Sequence, residues 1–301
     1  MDMPVDLKGG DAPAAEGHDA YRILMPDAPR GPLVFASPHS GRAYPAGLLA
    51  ASRLDALTLR RSEDSFIETL FDVAPRHGAP LIHALFPRVW CDVNREPWEL
   101  DPAMFDERLP DFVNARSPRV AAGLGTIARV VATGEPIYRR RLSFAEAEAR
   151  VAACWKPFHA GLSGLVDWAR GAHGHAILVD CHSMPSVQAA DGRAAKMPDF
   201  VLGDAHGTAC SPVLTRLVES LLVDMGYSVR RNDPYAGGYI TRHYGRPRHG
   251  VHALQIEISR ALYMDEQRIE PGPALRGLRA KLERLVAELA ATDWRAAGLA
   301  A

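Results

Sequence analysis

Ala176-Ile177-Leu178-Val179-Asp180-Cys181-His182-Ser183-Met184-Pro185 opens as an unbroken apolar run and ends in side chains that carry chemistry. An apolar run without alternation is the pattern of a strand buried on both faces, as in an α/β sheet. Pro185 stops its continuation. Polar residues just past the end of such a strand lie where open α/β sheets bind ligands, outside the carboxyl ends of the strands. Pro32-Leu33-Val34-Phe35-Ala36-Ser37-Pro38-His39-Ser40-Gly41 repeats the arrangement, a short apolar run closing on a histidine. In Val251-His252-Ala253-Leu254-Gln255-Ile256-Glu257-Ile258 an acid stands where the pattern calls for an apolar side chain. These three segments point to one metal-dependent site.

A chain of 301 residues, 47% hydrophobic and 24% charged, has the composition of an ordinary globular protein with room for a large α/β core. A net charge of −1 gives no reason to expect nucleic acid or an anionic membrane as partner. Cys91, Cys154, Cys181 and Cys210 are widely spaced, without a Cys-x-x-Cys pair. The first twenty residues show no apolar leader, so the expectation is a cytoplasmic protein with reduced thiols. No apolar stretch approaches the ~20 residues needed to span a bilayer. Residues 1–20 are expected to form a loose tail and residues 21–301 a single catalytic domain. No dinucleotide-binding glycine pattern or phosphate loop supports a nucleotide.

Further strands are expected at Tyr21 to Met25 (an edge), Leu81 to Phe86, Val89 to Val93, Phe200 to Gly203 and Tyr227 to Arg230. Ser62 reads as the N-cap of a helix carrying Phe66, Ile67, Leu70, Phe71 and Ala74 at helical spacing. That places Glu63 and Asp64 in a first turn, where acids are also favoured by the helix dipole alone. Residues 97–138, rich in turn formers, read as an insertion with short helices. Ser143-Phe144-Ala145-Glu146 matches a capping box opening a long helix that Pro157 kinks or divides. Ser211-Pro212 starts a helix to about Met225, and Ala274 to Ala291 is a last amphipathic helix. Between them, Asn232 to Tyr239 is a glycine-containing loop. The alternation of strands and helices is that of an α/β protein.

Catalytic zinc takes three protein ligands from His and Asp or Glu and keeps a fourth position open. His39 and His182 fit the imidazoles, and Asp64 or Glu63 the carboxylate. Each signal alone is weak, since a single histidine is more often hydrogen-bonded than ligating. If Ser62 caps the helix, Asp64 shares a face with Glu68 and Phe71, while Glu63 lies about 100° round. Glu257 needs a partner if buried. As general base beside an activated water it would have one; the other reading is a salt bridge to Arg260. Asp180 either orients His182 from behind or caps a loop.

Six blocks in order resemble the N-formylglutamate amidohydrolase family, related to zinc carboxypeptidases, aspartoacylases and cell-wall amidases. They are Ser37-Pro38-His39-Ser40-Gly41, Glu63-Asp64-Ser65-Phe66-Ile67, Arg88-Val89-Trp90-Cys91-Asp92-Val93-Asn94-Arg95, Asp180-Cys181-His182-Ser183-Met184-Pro185, Gly237-Gly238-Tyr239-Ile240-Thr241 and Gln255-Ile256-Glu257-Ile258-Ser259-Arg260-Ala261-Leu262-Tyr263-Met264. The resemblance runs from about Pro32 to Asp265. It implies a three-layer α/β/α fold with a mixed, mostly parallel sheet, like that of phosphorylases, hydrolases and zinc peptidases. It further implies one zinc ion held by His39, Asp64 and His182, with Glu257 as base and Asn94 and Arg95 gripping a substrate carboxylate. Arg242, just beyond the glycine pair, is a candidate for a second carboxylate or for the developing oxyanion. The implied reaction is hydrolysis of an N-acyl amino acid, first of all N-formyl-L-glutamate to formate and L-glutamate. A deacylase of another N-acyl amino acid and a metal-binding homologue without catalysis are the alternatives. There are two departures: residue 42 is Arg where related enzymes often place a ligand acid as His-x-x-Glu, and Asp64-Ser65-Phe66 stands where the family commonly has Asp-Trp-His.

Overall fold

Strands β1 (Tyr21–Leu24) and β2 (Leu33–Ser37) come first in a computed structural model that describes residues 20–28, 30–190 and 193–299. Short helices α1 (Ala46–Ala51), α2 (Ala56–Arg60) and α3 (Ile67–Phe71) lead to β3 (Leu81–Ala84). An irregular stretch holding α4 (Pro118–Ala121) precedes α5 (Phe144–Arg150) and α6 (Lys156–His173). Then follow β4 (Ala176–Met184), a hairpin of β5 (Val187–Ala190) and β6 (Arg193–Lys196), β7 (Phe200–Gly203), α7 (Pro212–Asp224) and β8 (Val229–Arg231). Helix α8 (Tyr239–Tyr244), β9 (Val251–Ser259), a short antiparallel ribbon of β10 (Met264–Asp265) and β11 (Glu270–Pro271), and α9 (Leu275–Ala291) complete the order. Except for Ala20, the expected tail lies outside the described residues. No helix among the described residues is long and apolar enough to cross a membrane.

Seven of these strands form one mixed sheet in the order β1-β3-β2-β4-β9-β7-β8. Its centre, β3-β2-β4-β9, is parallel; β1 runs antiparallel to β3, and β7 antiparallel to β9. Every residue of β2, β4 and β9 is buried, as their apolar runs require. Alternate side chains enter separate cores. Leu33, Phe35, Ile177, Val179, Leu254 and Ile256 pack with residues of α3, α7 and α9 on one face. Val34, Ala36, Leu178 and Ala253 pack with Phe158, Leu162 and Leu165 of α6 and Ile240 of α8 on the other. The chain is therefore a three-layer α/β/α protein with a mixed, mostly parallel sheet. A third cluster, from Leu48 to Ala147, gives the insertion its own core.

Two local expectations need correction. Val89–Val93 is not a strand: the amides of Trp90 and Cys91 turn back to Pro87 O, and Asp92 N donates to Thr126 O. β3 already has a neighbour on each side, and the apolar alternation serves two cores, Val89 in the insertion and Cys91 and Val93 against the sheet. Ser62 caps no helix; its hydroxyl accepts from Ala132 N, and α3 starts only after Phe66, whose φ of 69° is left-handed. The capping box of Ser143 and Glu146 is present. Just before Pro157 the long helix widens into one π turn, Val151–Trp155, which accommodates a residue with no amide proton to close the ordinary α-helical bond.

Candidate active site

β4 and β9 lie side by side in a register that pairs Asp180 with Gln255 and His182 with Glu257. By the alternation of a strand, these four side chains share the face whose earlier positions, Ala176, Leu178, Val251 and Ala253, fill the α6 side of the core. The opposite face stays apolar through Cys181 on β4 and Ile256 and Ile258 on β9, while Ser183, near the end of β4, also lines the cavity. On the α6 side, then, each strand passes midway from filling a core to lining a cavity.

The loop after β2 supplies His39. It lies so close to the chain beyond β3 that a Cβ on Gly41 would stand 2.1 Å from Phe86 O. The amide of Asp64 donates to His39 O (3.0 Å), tying the segment before α3 to that loop.

Ligand atoms of His39, Asp64 and His182 all lie within 4.8 Å of one another, and all three residues are buried. Asp64 Oδ2 is 2.9 Å from His182 Nδ1 and 3.4 Å from His39 Nδ1. The outer ring nitrogens meet carboxylates instead: His39 Nε2 lies 2.7 Å from Asp92 Oδ1, and His182 Nε2 lies 2.9 Å from Asp180 Oδ1. A carboxylate only accepts, so His39 Nε2 donates to Asp92 and leaves the His39 Nδ1 lone pair to face inwards, whereas His182 has a carboxylate oxygen at each ring nitrogen and would turn an Nδ1 lone pair inwards only where a cation replaces the Nδ1 proton. His39 Nδ1 is buried without a hydrogen-bond partner. Two oriented imidazoles, one carboxylate and an unsatisfied donor atom fit a divalent metal with a position left open. Asp64 turns its other oxygen to Ser183 Oγ (3.1 Å) and Arg260 Nη2 (3.3 Å).

The electrostatics favour positive charge at this point. Burial works to raise the Asp64 carboxyl, but hydrogen bonds and charge from His182 and His39 hold it well below the usual carboxylate range. Burial likewise opposes a charged His182, yet Asp180, Asp64 and Glu257 raise it well above an ordinary imidazole. For Asp92, burial is overcome by Arg88, Arg95 and His39, and the carboxyl is again held low.

Glu63 stays outside the cluster, bonded to Tyr44 Oη (2.8 Å), Arg60 Nε (3.1 Å) and Ser65 Oγ (2.7 Å). Of the two acids, Asp64 lies in the cluster and Glu63 does not, and the helical phase expected from Ser62 plays no part in that placement. Arg42 pairs with Glu68 (2.7 Å).

Glu257 is buried and accepts one hydrogen bond, from Gln255 Nε2 (2.7 Å). Burial pushes its carboxyl up to about 8, with His182 pulling the other way. Among the described residues no ion pair to Glu257 is formed, and the salt bridge to Arg260 is absent. That guanidinium serves Ser183 Oγ, Arg61 O, Glu63 O and Asp64 Oδ1.

A cavity of about 650 Å³ holds the cluster and Glu257, with Arg88, Arg95, Arg119, Arg242 and Arg260 in its walls. Arg95 is largely committed already, donating to Leu124 O (2.8 Å) and Asn94 O (2.7 Å). Asn94 Oδ1 accepts from Ile240 N (2.7 Å), so its amide NH2 faces His182 and the cavity. Arg242 is exposed at the mouth, bonded once to Gly237 O (3.2 Å). The sequence reading missed Asp92 behind His39, Arg88 bonded to Asp92 Oδ2 (2.7 Å), Arg119 and Gln255. Asp92 had a local signal, a carboxylate among the polar residues that gather where an apolar stretch gives out, as Asp180 is.

Fold and site together define an α/β/α protein with a candidate metal centre and a buried carboxylate at the carboxyl ends of its central strands. A family model described as N-formylglutamate amidohydrolase matches residues 31–264. The chain belongs to that family. It is 31% identical over 250 residues to N-formylglutamate deformylase of Pseudomonas putida, covering 81% of this chain and 86% of the relative. Against N-formylglutamate deformylase of Pseudomonas aeruginosa it is 34% identical over 248 residues, with 79% and 84% covered. The crystal structure of N-formylglutamate amidohydrolase from Ralstonia eutropha JMP134 superposes with a TM-score of 0.84 at 36% identity, covering 90% of this chain and 97% of that one.

Proposed function

We propose that residues 21–301 act as one catalytic unit that hydrolyses N-formyl-L-glutamate to formate and L-glutamate. One observation carries the reading: Glu257, buried and in no ion pair among the described residues, shares an arginine-walled cavity with the His39, Asp64 and His182 cluster. The names of the relatives supply the substrate. Zinc held by His39, Asp64 and His182 would act as a Lewis acid and lower the pKa of water in the site towards ~7. Glu257 takes the proton of the attacking water, whose oxygen adds to the formyl carbon. The carbon–nitrogen bond then breaks, and Glu257 returns the proton to the departing amine. Asn94 and Arg95 receive one carboxylate of the substrate, and Arg242 the other or the developing oxyanion. Four free, buried cysteines suit a reducing cytoplasm.

Amine release from zinc-loaded protein offered a panel of N-formyl and N-acetyl amino acids tests this. The highest kcat/KM is expected for N-formyl-L-glutamate. Preference for an N-acetyl or a neutral amino acid overturns the substrate assignment, and no turnover of any amide overturns the activity.

A further inference from the structure

Gln255 occupies a position on β9 that faces the site but has no charge to offer. It is buried, and both ends of its amide are engaged. Its Oε1 accepts from Gly238 N at 2.8 Å. A backbone amide can only donate, so this bond fixes the orientation of the side chain and turns Nε2 towards Glu257 Oε1, 2.7 Å away. Thr241 Oγ1 lies 3.4 Å from the same Gln255 oxygen and 3.3 Å from Asp180 Oδ2, and Asp180 in turn holds His182. The Gly237-Gly238 turn is held closely: a Cβ on Gly238 would stand 2.3 Å from Asn94 Nδ2, and one on Gly203 would stand 2.7 Å from Gly237 N. Gly238 is the N-cap of α8, the helix that carries Arg242.

We infer that Gln255 is a two-ended positioning residue, its NH2 orienting the Glu257 carboxylate and its oxygen holding the turn that places Arg242. The inference rests on the reading of Glu257 as the base. With Oε1 held by an amide donor, the other carboxylate oxygen is the one left to take a proton. A rotated Glu257 would keep its carboxyl group and lose its aim, and a released Gly238 would loosen α8 without touching the base. The two ends therefore govern different kinetic constants.

Gln255→Glu keeps the acceptor for Gly238 N and removes the donor to Glu257. Gln255→Met keeps the length and removes both. The full chain with zinc is assayed on N-formyl-L-glutamate for kcat and KM separately, with zinc content and melting temperature measured on each variant. Gln255→Glu should lower kcat by about 10–100-fold, as losing a supporting hydrogen bond around a site typically does, with KM unchanged. Gln255→Met should lower kcat similarly and also raise KM. In a Glu257→Gln background, Gln255→Met should no longer change kcat, because the group it orients is already disabled, while still raising KM. Zinc content should match wild type throughout. A wild-type kcat for Gln255→Glu, losses that multiply independently in the double variant, or loss of zinc overturns the inference. Should Glu257→Gln itself turn over at the wild-type rate, the base assignment falls and this inference with it. If Glu257→Gln is slow while both Gln255 variants keep wild-type constants, the inference alone falls.

Discussion

Glu257 and Arg260 lie three residues apart, and pairing them is the plainest way to excuse a buried acid. The folded chain sends Arg260 to Asp64, Ser183 and two backbone carbonyls instead. Glu257→Gln should therefore break no ion pair. Turnover should fall ~10²–10⁴-fold, the usual contribution of a general base, with zinc content kept and no drop in melting temperature. Breaking a buried pair would have cost about 3–5 kcal/mol, so a variant that melts far lower yet still turns over removes Glu257 from the mechanism. Asp64 and Glu63 make the second residue-scale test. Asp64→Asn should release zinc. Glu63→Gln should retain it and lose about 1–3 kcal/mol, because Tyr44, Arg60 and Ser65 all bond to that buried carboxylate. Zinc content and urea unfolding of the two variants decide; release by Glu63→Gln alone reverses the assignment.

Among the elements, those specified locally were legible: the capping box at Ser143, the Ser211-Pro212 start, and the buried strands β2, β4 and β9. Segments whose backbone bonds run to distant partners were not. Val89–Val93 has a strand's alternation but finds both edges of β3 already taken by β1 and β2, and Ser62 resembles a cap while bonding seventy residues away. The loop after β2 depends on one glycine. Gly41→Ala would force a Cβ into Phe86 O, so overpacking of about 1–3 kcal/mol or more is expected, with weaker zinc binding because His39 moves with the loop. Urea midpoints and a zinc titration check both effects. A variant as stable as wild type, with unchanged affinity, would show that the loop is not placed by this contact.

At the scale of the whole molecule, the cluster joins a loop after β2, the segment before α3 and the end of β4, three pieces with no covalent reason to stay together. An ion held by all three binds the folded chain and not the unfolded one. Zinc at a hundred times its Kd should therefore stabilise the fold by about 2.7 kcal/mol, and a chelator should lower the melting temperature correspondingly. Calorimetry with and without chelator measures it, and coincident melts would remove the metal from the proposal. The net charge of −1 hides a cavity walled by five arginines, because sums over a surface carry no information about where charges meet.

His39, His182 and Glu257 could be read from the sequence because each interrupts or ends an apolar run, and an apolar run is itself the instruction for a buried strand. The chain alone therefore determined that the fold is α/β and that polar groups gather at strand ends. Which groups face one another depended on the β4–β9 register, which sets His182 beside Glu257, and on the crossing of the β2 loop over the segment before α3. Only that arrangement brought Asp64 rather than Glu63 into the cluster, put Asp92 behind His39, drew Arg260 away from Glu257 and placed Gln255 between Glu257 and the glycine turn. The physical reason is range: burial and capping act over a few neighbouring residues, whereas a buried carboxylate takes whichever donor the packed sheet brings to it.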